Sequence, residues 1–333
     1  MGGLPWSDTG AAFPAAGRMN RRPFSGTVDR MIELRELTKK YGRTTAVDRL
    51  TCTVRPGHVT GFLGPNGSGK STTLRMILGL AEPTSGTATV DGRSFRKYNR
   101  GLCHVGALLD AADVHGGRSA RSHLTALAAG NGIRRSRVDQ LLQEVGLAAV
   151  ARRRIGGYSL GMRQRLGIAG ALLGDPPVLL FDEPINGLDP EGVHWVRGLF
   201  RRLAGEGRTV LVSSHLMTEM ESTADQLIVL GRGRLLAAES VSEFASRGTP
   251  PTVLVRASDV ATLAEVLVSA GASVHREADS ALAVTGLAVT RVSELAMDHR
   301  IPLGELTTRR ASLEEAFMQV TAGSAEYLGG DGR

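Results

Sequence analysis

Over residues 31 to about 230, short runs of consecutive apolar residues, each closed by glycine, proline or charge, alternate with longer stretches in which apolar positions recur every three or four residues. The first pattern belongs to strands buried on both faces, the second to amphipathic helices. HVTGFLG (58–64), PVLLFDEP (177–184), TVLVSSH (209–215) and LIVLGRG (227–233) read as buried strands. Strand and helix in alternation predict an α/β layer structure with a mostly parallel sheet. After SRGTPP (246–251) the rhythm changes. TVLVR reads as a strand, VATLAEVLVSAG as an amphipathic helix, ASVHRE and ALAVTG as strands, and TRVSELAMDHR as a helix. This βαββα order predicts a small α+β appendage. A last helix, ASLEEAFMQVT, begins with Ser312 and Glu315 in capping-box spacing.

The organisation expected is therefore a disordered extension over 1–30, an α/β domain over 31–240, an α+β domain over 250–322 and a flexible tail over 323–333. The extension is rich in Gly, Pro, Ser and Arg and lacks the apolar core of a secretory signal. Met31 opens the first ordered-looking segment, MIELRELTKKYG, and is an alternative translation start. No stretch approaches the roughly 18 apolar residues of a membrane span, so any membrane role is peripheral. With 333 residues, 42% of them apolar, there is ample core material for two domains.

Two cysteines, Cys52 and Cys103, lack any paired spacing, which excludes a disulfide or zinc framework and points to a reducing, cytoplasmic setting. The formal charge of +7 is carried by arginines scattered along the chain without interleaved aromatics, so the expectation is a solvated basic surface and no nucleic-acid partner. Lysine is scarce: Lys39, Lys40, Lys70 and Lys97 are all there are.

Lys70 sits where chemistry concentrates. Gly64, Gly69, Lys70 and Ser71 fit G-x-x-x-x-G-K-[ST] between the apolar VTGFL and the helical STTLRMILGL. Phosphates approach a backbone closely only where side chains are absent, so Gly64, Gly67 and Gly69 let N–H groups surround the oxygens, and the helix starting near Lys70 adds its positive end. Lys70 is placed to reach the β and γ phosphates, Ser71 to ligate magnesium and Thr72 to contact phosphate. Downstream, Asp182 and Glu183 close the strand PVLLFD. Asp182 is suited to magnesium, directly or through water, and Glu183 to polarise an attacking water as general base. His215 closes another strand at the edge where open α/β sheets collect ligands, and is a candidate contact for a γ phosphate. Ser159, Leu160 and Gly161 open a helix that runs into the Asp182 strand and form a second anion site. No N-K-x-D motif of the guanine-reading proteins is present.

With these motifs in place, residues 31 to 235 resemble the ATP-binding cassette ATPases. Gly64, Pro65, Asn66, Gly67, Ser68, Gly69, Lys70, Ser71 and Thr72 match the family's Walker A, Asp182 and Glu183 its Walker B and catalytic glutamate, and His215 its switch histidine. YSLGM, with Ser159, Leu160, Gly161 and Met162, matches the signature, and NGLD, with Asp189, the D-loop. The resemblance implies that Tyr41 stacks on adenine and that two chains dimerise head to tail on ATP, each signature completing the other's site. It implies a P-loop cassette with an antiparallel β part and a helical signature subdomain. The cofactors implied are ATP and Mg2+.

YSLGMRQR, SLEEAFMQVT and the small C-terminal domain are similar to the ATPase subunits of daunorubicin- and bacitracin-type exporters, whose permease is a separate polytopic protein. That places the chain on the inner face of the membrane as an exporter ATPase. The alternative is a soluble cassette ATPase acting on nucleic acid or ribosomes, disfavoured by the single cassette and the absence of sustained heptads. Three positions depart from the pattern: Asp110 stands where the family has its magnesium-sensing Q-loop glutamine and is a candidate metal ligand, Ile185 replaces a small residue after DEP, and Met162 replaces a glutamine. Asp110 and Ile185 raise a third reading, a catalytically silent cassette.

Overall fold

A computed structural model of the chain describes residues 30–247, 252–277, 281–309 and 313–325. The extension up to residue 29, Ser312 of the expected capping box, and residues 326–333 lie outside these.

The central sheet has six strands in the order β5-β6-β7-β3-β8-β9, where β3 is Val59–Leu63, β5 Val105–Leu108, β6 Val178–Asp182, β7 Thr209–Ser214, β8 Gln226–Gly231 and β9 Arg234–Ser240. All neighbours run parallel except β9, which returns antiparallel to β8. Every residue of β3, β6 and β7 is buried, because both faces of the sheet are covered. Phe62, Leu180, Leu211 and Ile228 face a core shared with a three-stranded antiparallel sheet, β2-β1-β4, and with helix α1 (Lys70–Ile77). Its strands are β1 (Ile32–Tyr41), β2 (Thr44–Val54) and β4 (Ser85–Val90). Leu63, Phe181, Val210 and Val212 face the other core. That core is built with α2 (Ala120–Gly130), α3 (Arg135–Glu144), α4 (Leu160–Leu172) and α5 (Pro190–Gly205). Two-sided burial is why these strands read as unbroken apolar runs.

Helix starts carry their signals. Ser119, Ser159 and Asp189 cap α2, α4 and α5 through side-chain oxygens that accept backbone N–H bonds, each cap contributing about 1 kcal/mol. Ser240 and Glu243 form a reciprocal capping box on α7 (Val241–Ala245), which follows α6 (Met217–Glu221).

The C-terminal part differs from expectation in two respects. It is βαββαβ, not βαββα: β10 (Thr252–Ala257), α8 (Val260–Ser269), β11 (Ser273–Arg276), β12 (Ala281–Thr285), α9 (Val289–Asp298) and β13 (Leu303–Arg309). The antiparallel order β11-β12-β10-β13 is that of a ferredoxin-like split βαβ unit with α8 and α9 on one face. β13, LGELTTR, is an edge strand that is mostly exposed, with its two leucines three residues apart, so it carries no period-two signal. Secondly, helix α10 (Leu313–Ala325) belongs to the cassette and not to the appendage, and it runs past the expected boundary at 322. Leu313 and Ala316 are fully buried in the cassette core beside Phe244 of α7, with Phe317 and Val320 packed against it. These four positions form one helical stripe, and α6 and α7 supply the groove that covers it.

Candidate functional site

The glycine-rich turn, Asp182, Glu183 and His215 converge at the carboxyl ends of three adjacent strands, whereas Tyr41, Asp110, Ser159 to Met162 and Asp189 lie on other elements. The register pairs Asp182 of β6 with Ser213 of β7, and Leu63 of β3 with Ser214 of β7. Gly64, Glu183 and His215 are therefore the first residues beyond the ends of three neighbouring strands, with Glu183 one residue out of step with the other two.

Between β3 and α1 the chain makes the glycine-rich turn. A Cβ on Gly64 would stand 2.4 Å from Ser68 Oγ, and one on Gly69, at φ +101°, would stand 2.5 Å from the Ala46 carbonyl oxygen. Only glycine fits either position. Lys70, the first residue of α1, is nearly buried and its ammonium donates to Gly64 O at 2.6 Å and Pro65 O at 3.3 Å. Burial pushes its pKa below the ordinary lysine value, while the negative fields of Glu183 and then Asp182 act in the opposite direction. Ser68 Oγ is buried with no hydrogen-bond partner among the described residues. A buried orphan hydroxyl within such a turn is what an incoming phosphate oxygen satisfies. Ser71 and Thr72 follow on the first turn of α1, Ser71 exposed and Thr72 half-buried.

Asp182 is 8% exposed and accepts a hydrogen bond from Ser213 Oγ on the neighbouring strand. The same Ser213 oxygen accepts the Glu183 N–H at 3.0 Å. Ser213 therefore holds both carboxylate residues by one atom, a role not assigned from the sequence, where the only signal is a hydroxyl inside an otherwise apolar strand. Glu183 adopts φ +49°, a left-handed conformation that costs a non-glycine residue about 1 kcal/mol or more. That turn aims its carboxylate out of the sheet, where Oε2 lies 2.8 Å from His215 Nδ1 and 3.4 Å from Asn186 Nδ2. Gln164, buried on α4, donates to the Glu183 carbonyl at 3.3 Å and so links α4 to the end of β6. Gln164 was likewise unassigned, and Asn186 was read only as part of NGLD, because polar residues on a helix and in a loop look the same whether they bond water or protein.

Ser159 Oγ accepts the Met162 N–H at 3.2 Å and caps α4. Leu160 is 50% exposed, and Gly161 leaves room for the loop before α5, since its Cβ would stand 3.0 Å from Gly187 O. Asp189 accepts the Gly192 N–H at 2.9 Å and lies 3.9 Å from Arg165 of α4. Tyr41, at the end of β1, is 53% exposed with Lys39 Nζ 4.9 Å from its ring centroid. Asp110 lies two residues beyond β5, the strand beside β6; it is exposed and accepts the Ala112 N–H at 2.7 Å. Ile185 is 5% exposed and packs inside the cassette core.

For a hard divalent cation the chain offers oxygen donors of the right kind. The Asp182 carboxylate has one oxygen engaged by Ser213 and the other free of protein hydrogen bonds among the described residues, and Ser71 supplies an exposed hydroxyl. One carboxylate and one hydroxyl, completed by phosphate oxygens and water, suit Mg2+.

Residues 47–186 match the family described as ABC transporter, and residues 251–314 match a family described as a domain of unknown function. The chain is 34% identical over 308 residues to the uncharacterized ABC transporter ATP-binding protein YhcH of Bacillus subtilis, an alignment that covers 90% of this chain and 98% of that one. It is 41% identical over 209 residues to the bacitracin transport ATP-binding protein BcrA of Bacillus licheniformis, covering 62% of this chain and 68% of that one. Among solved structures, the dimeric post-hydrolysis state of an ATP-binding cassette bound to ADP and Pi superposes with a TM-score of 0.59 at 25% identity, covering 63% of this chain and 98% of that one.

Proposed function

The chain belongs to the ABC transporter ATP-binding family, and from that premise we propose that it hydrolyses ATP to drive export of a drug, antibiotic or other small amphipathic molecule through a separate membrane permease. The observation that carries the reading is the meeting of the glycine-rich turn, Asp182 with Ser213, and Glu183 with His215 at the carboxyl ends of three neighbouring strands. A soluble ATPase acting on nucleic acid or ribosomes is not favoured, since the similarity to transport ATP-binding proteins spans the cassette.

In this mechanism ATP is the substrate and Tyr41 stacks on its adenine. The backbone N–H groups of the turn up to Ser71 receive the phosphate oxygens, Pro65 having none and that of Ser68 donating to Pro65 O, with Thr72 as a further contact and the Lys70 ammonium moving from its carbonyl partners to the β and γ phosphates. Mg2+, held by Ser71 and Asp182 with Asp110 as a further candidate, would offset phosphate charge as it develops. Glu183 takes a proton from water as the water oxygen bonds to the γ phosphorus and the bond to the ADP oxygen breaks. His215 fixes the Glu183 carboxylate through Nδ1, and its Nε2 can bond the γ phosphate only where that nitrogen also carries a proton. Ser159, Leu160, Gly161 and Met162 of a second copy complete the site from across a head-to-tail dimer, with Asp189 beside the contact.

No helix among the described residues is long and apolar enough to cross a membrane, in keeping with a peripheral subunit on the inner face of the cell membrane. The test uses Glu183→Gln. That variant is expected to bind Mg-ATP, to form a stable dimer by light scattering, to lose steady-state hydrolysis, and to co-purify from native membranes with a polytopic protein. Normal hydrolysis would remove Glu183 as the base; recovery of ribosomes without any membrane protein would favour the soluble alternative.

A further inference from the structure

The positive charge of the chain is not spread evenly. Residues 114–174 contain ten arginines, no lysine and two carboxylates, Asp139 and Glu144, so this segment alone exceeds the +7 of the whole chain. Both carboxylates are engaged, Asp139 by Arg121 and Glu144 by Arg202 of α5, each at 2.7 Å.

Tertiary structure corrects the reading of these arginines as scattered. Two loops, one leading into α2 and one leading to α4, lie side by side. The Arg121 N–H donates to Ala151 O at 3.0 Å, the Ile155 N–H to Arg118 O at 2.9 Å and the Gly156 N–H to Gly116 O at 2.9 Å, while Ser119 and Arg154 form an isolated β-bridge. Arg118, Arg152, Arg153 and Arg154 are thereby gathered at one exposed place, and none pairs with a carboxylate among the described residues. Arg118 also lies close enough to half-buried His123 to disfavour its protonation, after burial itself. Like charges held together repel one another, and an anionic surface relieves that repulsion.

We propose that the patch formed by Arg118, Arg152, Arg153 and Arg154 docks on anionic phospholipid headgroups, holding the subunit at the bilayer surface independently of its permease. The inference rests on the proposed role beside a membrane. Arginine forks match phosphate oxygens bidentately, which suits a headgroup. A nucleic-acid strand fits less well, because no Phe, Tyr or Trp occurs between residues 114 and 157 to stack on bases. Each arginine near an anionic leaflet strengthens binding about fivefold, so three contribute about a hundredfold.

The experiment is sedimentation of the full chain, without nucleotide, with phosphatidylcholine vesicles and with vesicles containing about one third phosphatidylglycerol. Tighter binding to the anionic vesicles is expected, weakening as salt rises because the Debye length shortens. Arg152→Ala/Arg153→Ala/Arg154→Ala is expected to lose about a hundredfold of that binding. A control with equal net charge, Arg55→Ala/Arg93→Ala/Arg276→Ala, loses far less. The triple Arg→Lys variant at 152–154 keeps the charge and retains binding. The inference is overturned if wild type does not prefer anionic vesicles, if the control loses as much as the patch variant, if the lysine variant fails to bind, or if RNA at matched phosphate concentration strips wild type from the vesicles. ATP turnover of the patch variant in lipid-free solution, expected within about twofold of wild type, verifies its fold. Because vesicle binding is read without nucleotide, its failure leaves the ATPase reading intact, and loss of the ATPase reading leaves the vesicle result intact.

Discussion

Ser213→Ala isolates the one atom that joins the two carboxylate residues. In the folded chain Ser213 Oγ is fully buried, donates to Asp182 and accepts the Glu183 N–H at 3.0 Å. Alanine removes a hydrogen bond to a charged group and leaves a buried N–H unpaired, together costing about 2–4 kcal/mol. For a cassette of about 200 residues this lowers Tm by roughly 4–15 °C. The effect on turnover has a separate origin. Glu183 is held in a left-handed conformation, and releasing its N–H lets the carboxylate swing away from His215. Misplacement of a catalytic group by about 1 Å costs on the order of a hundredfold, so kcat at 20 °C, well below the transition, is expected to fall ten- to a hundredfold. The Mg2+ concentration giving half-maximal activity rises at the same time, because Asp182 loses its anchor. Ser213→Thr restores the hydroxyl and should recover turnover in part. A lowered Tm with kcat within twofold of wild type and an unmoved Mg2+ requirement would make Ser213 a packing residue only and refute the positioning argument.

Three further outcomes follow from the same geometry. Lys70→Ala removes a charged donor worth about 3 kcal/mol to phosphate, so affinity for a fluorescent ATP analogue falls about a hundredfold; unchanged binding would sink the assignment of the glycine-rich turn. Gly187 has φ +75° and its Cβ would stand 2.3 Å from Leu160 Cδ2, so Gly187→Ala displaces the loop before Asp189 against the start of α4. Monomeric ATP binding should persist while ATP-driven dimerisation by light scattering is lost; full dimerisation would show that this packing does not shape the contact. Burial raises the Cys52 thiol from 9.0 to about 12, so folding favours its protonated form. The stabilisation is complete below about pH 9 and is lost at about 1.4 kcal/mol per pH unit as pH climbs towards 12. Urea unfolding across that range should show the slope in wild type and a flatter one in Cys52→Ala, with native-state alkylation confined to Cys103.

Much of the fold was legible in the chain because local physics and tertiary context agree there. Strands β3, β6, β7 and β8 announced themselves as apolar runs ended by glycine or charge, since each is covered on both sides. β13 did not, because an edge strand with exposed threonines and arginine has no burial to impose a pattern. Helix α10 was legible as a helix, but its stripe of Leu313, Ala316, Phe317 and Val320 says only that it must be covered, not by what. The roles of Ile185 and Asp110 were similarly undetermined: Ile185 turned inward to the core, and Asp110 bonded to its own loop.

The sequence by itself determined the groups proposed to react. A motif such as Gly64 to Ser71 is short-range chemistry, in which glycines, lysine and hydroxyl act within a single turn, and a strand ending in Asp182 and Glu183 places its carboxylates at a sheet edge wherever that sheet lies. What the tertiary structure alone decided is everything that joins distant segments. Ser213 meets Asp182 across 31 residues, His215 meets Glu183 across 32, and the arginines of 118 and 152–154 come together through bonds between two loops. Such contacts depend on strand order and register, and these are set by the burial of the whole core and not by any local preference along the chain.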